Sequence, residues 1–119
     1  MVQRNISQLE RRIATLKRQL VALGDLRPGG LSMQYSVCAS PGCHCKATPP
    51  QKHGPYGQLS FTRKGKGTSR FVRKADIATV KQQLKNYATL RALVDEWIDL
   101  STELCTLRIE ETRTPSEKP

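Results

Sequence analysis

Aromatic side chains are scarce in this sequence: two Phe, three Tyr and one Trp among 119 residues. A core built almost without them must come from Leu, Ile and Val on helices, helped by a metal ion or by self-association. Also missing is any apolar run near the roughly 20 residues that a membrane-spanning helix needs. Met1-Val2-Gln3-Arg4 does not lead into the apolar stretch of a secretory signal. These absences argue against a membrane protein and against export. The expectation is a cytoplasmic protein in a reducing compartment, where its four cysteines serve as thiols or thiolates and not as disulfides. No C-x-x-C pair, phosphate-cradling loop or locally supported Ser/His/Asp set occurs, the basic segment holds no paired-carboxylate site, and both histidines lie close to cysteines. No imidazole is then left over as a general base, and no enzyme is expected.

The most informative gap is in acidic residues. Residues 26–75 contain nine Lys and Arg and not one Asp or Glu, a net of +9. Residues 1–25 carry five basic residues against Glu10 and Asp25, and residues 76–119 carry six against eight acids. The formal net charge of +10 is therefore concentrated in the middle of the chain. A fifty-residue stretch without a carboxylate creates a positive field suited to a polyphosphate backbone or an acidic membrane surface. A basic surface that serves only solubility is the bland alternative.

Two helices are written in the apolar spacing. Val2, Ile6, Leu9, Ile13, Leu16, Leu20 and Leu23 alternate at intervals of four and three, a heptad seam flanked by Gln, Arg and Lys. Gly24, followed by Pro28-Gly29-Gly30, is the expected stop. A second helix is expected from about Ala75-Asp76 to Glu111. Its seam is Ile77, Val80, Leu84, Tyr87, then Leu90, Leu93, Trp97, Leu100, Leu104, Leu107. The heptad frame breaks between Tyr87 and Leu90, which changes the apolar face. The part up to Tyr87 should pack on the middle segment and the remainder on the first helix. Cys105, beside Leu104, reads as a buried thiol.

The expected fold is small α+β: a zinc-stabilised loop and a two-stranded β-hairpin inserted between two long helices that form an antiparallel coiled coil. The segments are a helix over 1–25, a Cys/His loop over 26–55, a basic hairpin over 56–74, a helix over 75–111 and a disordered tail over 112–119. In the hairpin, Leu59 and Phe61 alternate with polar residues, Thr68–Arg73 is a second extended run, and Lys64-Gly65-Lys66-Gly67 supplies the turn.

Two constellations carry chemistry. Cys38, Cys43 and Cys45 form a C-x4-C-x-C pattern, with His53 eight residues later. Three thiolates and one imidazole suit a structural zinc ion. Pro41-Gly42 permits the tight turn, and His44, wedged between two cysteines, is badly placed to bind the same ion. Free thiols or a disulfide are the alternatives. Arg63, Lys64, Lys66, Arg70, Arg73 and Lys74 crowd the hairpin, and a two-stranded ribbon can enter the major groove of duplex DNA. Arg4, Arg11, Arg12, Lys17 and Arg18 on the first helix read as coiled-coil flanks.

The blocks Leu26-Arg27-Pro28-Gly29-Gly30-Leu31-Ser32, Cys38, Pro41-Gly42-Cys43-His44-Cys45 and His53-Gly54-Pro55-Tyr56 resemble a small family of bacterial and archaeal proteins. That family has an RPGSLS…CGKPGCRC…HGPYYYLSY core, then a RYVPKE strand and a long helix; the likeness spans most of residues 26–100. Its YVP stands here as Phe71-Val72-Arg73, and its aromatic run is thinned to Gly57-Gln58-Leu59. The resemblance implies a zinc site. The company such genes keep implies an accessory role beside a transposase or site-specific recombinase. The hairpin-then-helix order is also similar to arm-type DNA-binding domains of tyrosine recombinases. The functional expectation is a DNA-binding accessory protein of a mobile element, whose helices join it to a second copy of itself or to a recombinase or transposase. The alternatives are a coiled-coil adaptor between proteins and an RNA-binding zinc protein.

Overall fold

A computed structural model of the chain describes residues 5–38, 40–47 and 51–113. The elements in chain order are α1 (Ile6–Ala22), β1 (Gly30–Ser36), a 3-10 turn (His44–Lys46), β2 (His53–Arg63), β3 (Lys66–Val72), a second 3-10 turn (Lys74–Asp76) and α2 (Ile77–Thr112). The class is small α+β, with two long helices in contact and a three-stranded antiparallel sheet. The chain divides into a helical unit, Met1–Gly24 with Ala88–Pro119, and a sheet unit, Asp25–Tyr87. The boundary in α2 falls at the residue where the heptad frame breaks. Val2 of the first seam and the tail from residue 114 lie outside the described residues. Among the described residues, no helix is long and apolar enough to cross a membrane.

In the helical unit, α1 begins at a capping box. The Asn5 side chain accepts from the Gln8 amide at 2.8 Å, and the Gln8 side chain accepts from the Asn5 amide at 3.0 Å. The helix ends at Ala22, because Leu23 is already extended (φ −64, ψ 138), so Gly24 is not its terminator. Leu9, Ile13 and Leu16 are buried against Leu100 and Leu104, with Ile6, Leu93, Trp97 and Leu107 around them. The polar contacts run antiparallel. Arg12 grips Glu96 with a two-pronged contact of 2.7 and 2.9 Å, and Arg108 reaches Glu10 at 3.4 Å. Lys17 lies over the Trp97 ring. Arg12 and Lys17 are thus engaged with α2, as flanks of the seam.

Cys105 is exposed. Consecutive helical residues are turned about 100° apart, so adjacency to the buried Leu104 carries Cys105 away from the seam. It lines an open apolar groove on α2 with Val94, Trp97, Ile98 and Ile109.

The sheet unit corrects the expected two-stranded hairpin: a third strand, β1, occupies part of the segment read as loop. The order is β1-β2-β3, with β2 central. Leu31 pairs with Leu59, and Leu59 with Arg70; Gly57 pairs with Met33 and Val72. Side chains alternate across the pleat. Leu31, Leu59, Phe61 and Val72 therefore share one face, which packs on Ile77, Val80 and Leu84 of α2. Ser32, Gln34, Tyr56, Gln58, Ser69 and Phe71 form the other face. The turn is tighter than expected. Arg63 pairs with Lys66, leaving only Lys64 (φ +53) and Gly65 (φ +75) between them. Two successive left-handed residues match the twist of the flanking strands.

Candidate metal centre and basic surface

The connection between β1 and β2 carries the cysteine–histidine cluster. Pairing of Ser36 with His53 closes its two ends, which sets Cys38 just beyond β1 and His53 at the first position of β2. Between them, the 3-10 turn His44–Lys46 places Cys43 and Cys45 on the same small volume. One donor atom from each of Cys38, Cys43, Cys45 and His53 lies within 4.8 Å of the other three. Cys38 Sγ is 3.6 Å from Cys45 Sγ, and Cys43 Sγ is 3.0 Å from His53 Nε2. Cys45 is fully buried; the other three are half-buried. Four convergent soft donors of this kind could hold a metal ion.

The surroundings act on Cys38 and Cys43 in opposite directions. The Cys38 thiol is lowered to about 6, first by a backbone hydrogen bond from Ser40 and then by His53 and Cys43. For Cys43 the Cys45 amide acts in the same direction, but desolvation and the neighbouring Cys38 and Cys45 sulfurs outweigh it and raise that thiol. The Cys38 amide points at Cys45 Sγ at 3.4 Å. Lys46 donates its ammonium to the carbonyls of Cys38 and Ser40. Sequence reasoning had counted Lys46 only as part of the net charge; its position inside the turn makes it a clasp of the loop. His44 stands outside the donor set, with its ring edge-on to His53 at 5.0 Å.

Gly54 explains part of the local sequence. Its φ is +129, and a Cβ there would lie 2.7 Å from the Gln34 carbonyl oxygen. Only glycine lets the chain leave His53 this close to β1.

The six basic residues of the hairpin are all exposed, but the pleat separates them. Arg63, Lys66 and Arg70 share the face that carries Phe61, and Lys64 sits in the turn. Arg73 is paired with Asp76 at 3.0 Å, an exposed contact within the turn. Lys74 lies beyond β3 in the second 3-10 turn. The opposite face presents Tyr56 and Phe71 as a tilted ring pair with centroids 5.6 Å apart. The sheet unit holds eleven Lys and Arg against Asp25 and Asp76, a net of +9. Arg27 belongs to this surface and was missed as a site residue, because 36 positions separate it from Arg63.

Fold and site together define a small α+β protein in which a loop carrying a Cys3His cluster crowns a basic antiparallel sheet. The chain belongs to the DUF6788 family, a domain of unknown function, whose family model matches residues 6–82. The match begins in α1 and ends in the first turns of α2, so it includes the first helix as well as the cysteine block. Searches of curated proteins and of solved structures gave no significant match.

Proposed function

We propose that the chain is a DNA-binding protein whose basic sheet is held in shape by a structural zinc ion. Support for zinc comes from donor type and spacing. Zinc–sulfur bonds of about 2.3 Å and zinc–nitrogen bonds of about 2.0 Å put the edges of a tetrahedron near about 3.8 Å between two sulfurs and about 3.5 Å between sulfur and nitrogen. The Cys38–Cys45 sulfur separation of 3.6 Å is near such an edge, and Cys43 Sγ to His53 Nε2, at 3.0 Å, is shorter than one. Cys38, Cys43, Cys45 and His53 would fill all four positions and leave none open, which is the arrangement of a structural site. The ion would tie the β1–β2 connection, in which Cys45 is the only buried residue among those described.

The observation that carries the DNA reading is the unbalanced charge of the sheet unit. Among the described residues, no carboxylate pairs with Arg63, Lys64, Lys66 or Arg70, so their charge is free for phosphates. The two-residue turn makes the hairpin end narrow, and a ribbon of that kind fits the major groove. The helical unit would serve a second copy of the chain, or a recombinase or transposase. Duplex binding followed by fluorescence anisotropy, for the native chain and for R63E/K64E/K66E, tests the reading. Unchanged affinity in the triple variant at low salt rejects it.

A second reading is favoured by the Tyr56–Phe71 pair. Phe71 is 66% exposed, and a bare aromatic face on a sheet can stack unpaired bases of RNA or single-stranded DNA. Tighter binding to single strands than to duplex, lost in Y56A/F71A, would replace the first reading with this one.

A further inference from the structure

We propose that Arg27, Arg63 and Arg70 form a cleft that seats one phosphate group. Together with Pro28 and Phe61 they line a cavity of about 400 Å³ in the sheet unit. Three guanidinium groups reach it from three different segments. Arg63 ends β2, Arg70 stands opposite Leu59 in β3, and both share the face of Phe61. Arg27 comes from the strap that precedes β1.

That strap is fixed by the chain itself. The Arg27 amide donates to the Gln83 carbonyl at 3.3 Å, and Asn86 donates to the Asp25 carbonyl at 2.8 Å. Gly29, at φ +124, lets the strap press on β2: a Cβ there would lie 2.6 Å from Ser60 O and 2.9 Å from Phe61 Cβ. Arg27 is consequently half-buried. Like-charged side chains gathered this way repel one another, and no carboxylate lines the cleft. Among the described residues, none of the three arginines has an ion-pair partner. An anion resolves that repulsion, and the planar guanidinium fork is matched to phosphate oxygens. Phe61 and Pro28 give the cleft an apolar floor, where such contacts are less screened than at an open surface.

If the DNA reading holds, on which the source of the phosphate rests, the occupant is a backbone phosphate. A free phosphate ligand is the other source of the same chemistry. The test uses the full metal-loaded chain, labelled with 15N, titrated with inorganic phosphate against chloride at matched ionic strength. The expected result is movement of the Arg27, Arg63 and Arg70 side-chain N–H signals, abolished in R27Q. A second variant, R63Q, alters only an exposed strand end and guards against misfolding. In anisotropy titrations R27Q and R63Q should each lower the slope of log K against log salt by about one. Cleft signals that ignore phosphate, in a chain that still binds duplex equally with and without Arg27, overturn the cleft and leave the DNA reading standing. Cleft signals that respond to phosphate in a chain that binds no polynucleotide keep the cleft, assign it to a free ligand and overturn the DNA reading.

Discussion

Salt dependence gives the sharpest measure of the proposed interface. Of the six hairpin cations, Arg73 is already held by Asp76, which leaves Arg63, Lys64, Lys66, Arg70 and Lys74, joined by Arg27 from the strap. Arg27, Arg63 and Arg70 share one phosphate, so with Lys64, Lys66 and Lys74 four phosphates are the ceiling, and at about −0.9 per phosphate the slope of log K against log salt is about −3.6. A rise from about 50 to about 200 mM salt then weakens binding roughly 150-fold. Reversing Arg63, Lys64 and Lys66 removes the cleft phosphate and those of both lysines. The slope should drop to about −1, and the same salt step should cost only about fourfold. Fluorescence anisotropy on a labelled duplex at four or five salt concentrations reads both slopes directly. Because the slope counts contacts, it separates a lost interface from a general loss of affinity. Equal slopes for the two proteins, at any affinity, would refute the reasoning.

Three more predictions address the framework. C45S replaces the one fully buried donor of the proposed zinc site; the native chain should carry zinc near one equivalent in metal analysis and C45S should not, and a chelator should have the same effect on the native chain. Structural zinc contributes on the order of 10 kcal/mol to small modules, so amide signals of the sheet unit should lose dispersion, and retention of a folded sheet would argue against a structural ion. L16A empties a fully buried position between α1 and α2 and should destabilise the helical unit by about 2–5 kcal/mol in denaturant unfolding; a cost under about 1 kcal/mol would contradict the packing. G57A places a Cβ against Ile77 Cδ1 and 3.1 Å from Val72 Cβ. It should cost about 1–3 kcal/mol by overpacking, with recovery in the I77V background if the clash is the cause.

Much of this architecture could be read from residue order because it is local. The 3-4 spacing of Leu9, Ile13 and Leu16 sets one apolar stripe whatever it meets, and the frame break after Tyr87 announces a change of partner that the division of α2 repeats. The donor set was also legible: thiolates and an imidazole at short spacing are few enough to name, and a brief loop can bring them together only in a few ways. The capping box at Asn5 and Gln8 was equally local and went unread. So did β1, although Leu31, Met33 and Tyr35 alternate with Ser32, Gln34 and Ser36; the glycines before it and the cysteines after it made the stretch look like loop.

Other features exist only once the chain is folded. Which hairpin cations act together depends on strand register, since a pleat sends neighbours to opposite faces. Asp76 pairs with Arg73 through the turn that follows β3, whereas Arg27 joins Arg63 and Arg70 because Gly29 lets a distant strap lie on β2. Cys105 points outward because helical rotation, not sequence adjacency, decides burial. Periodicity and side-chain chemistry act over a few residues and survive in a one-dimensional string. Charge neutralisation, convergence and exposure are set by distances in space, and those the tertiary structure alone decides.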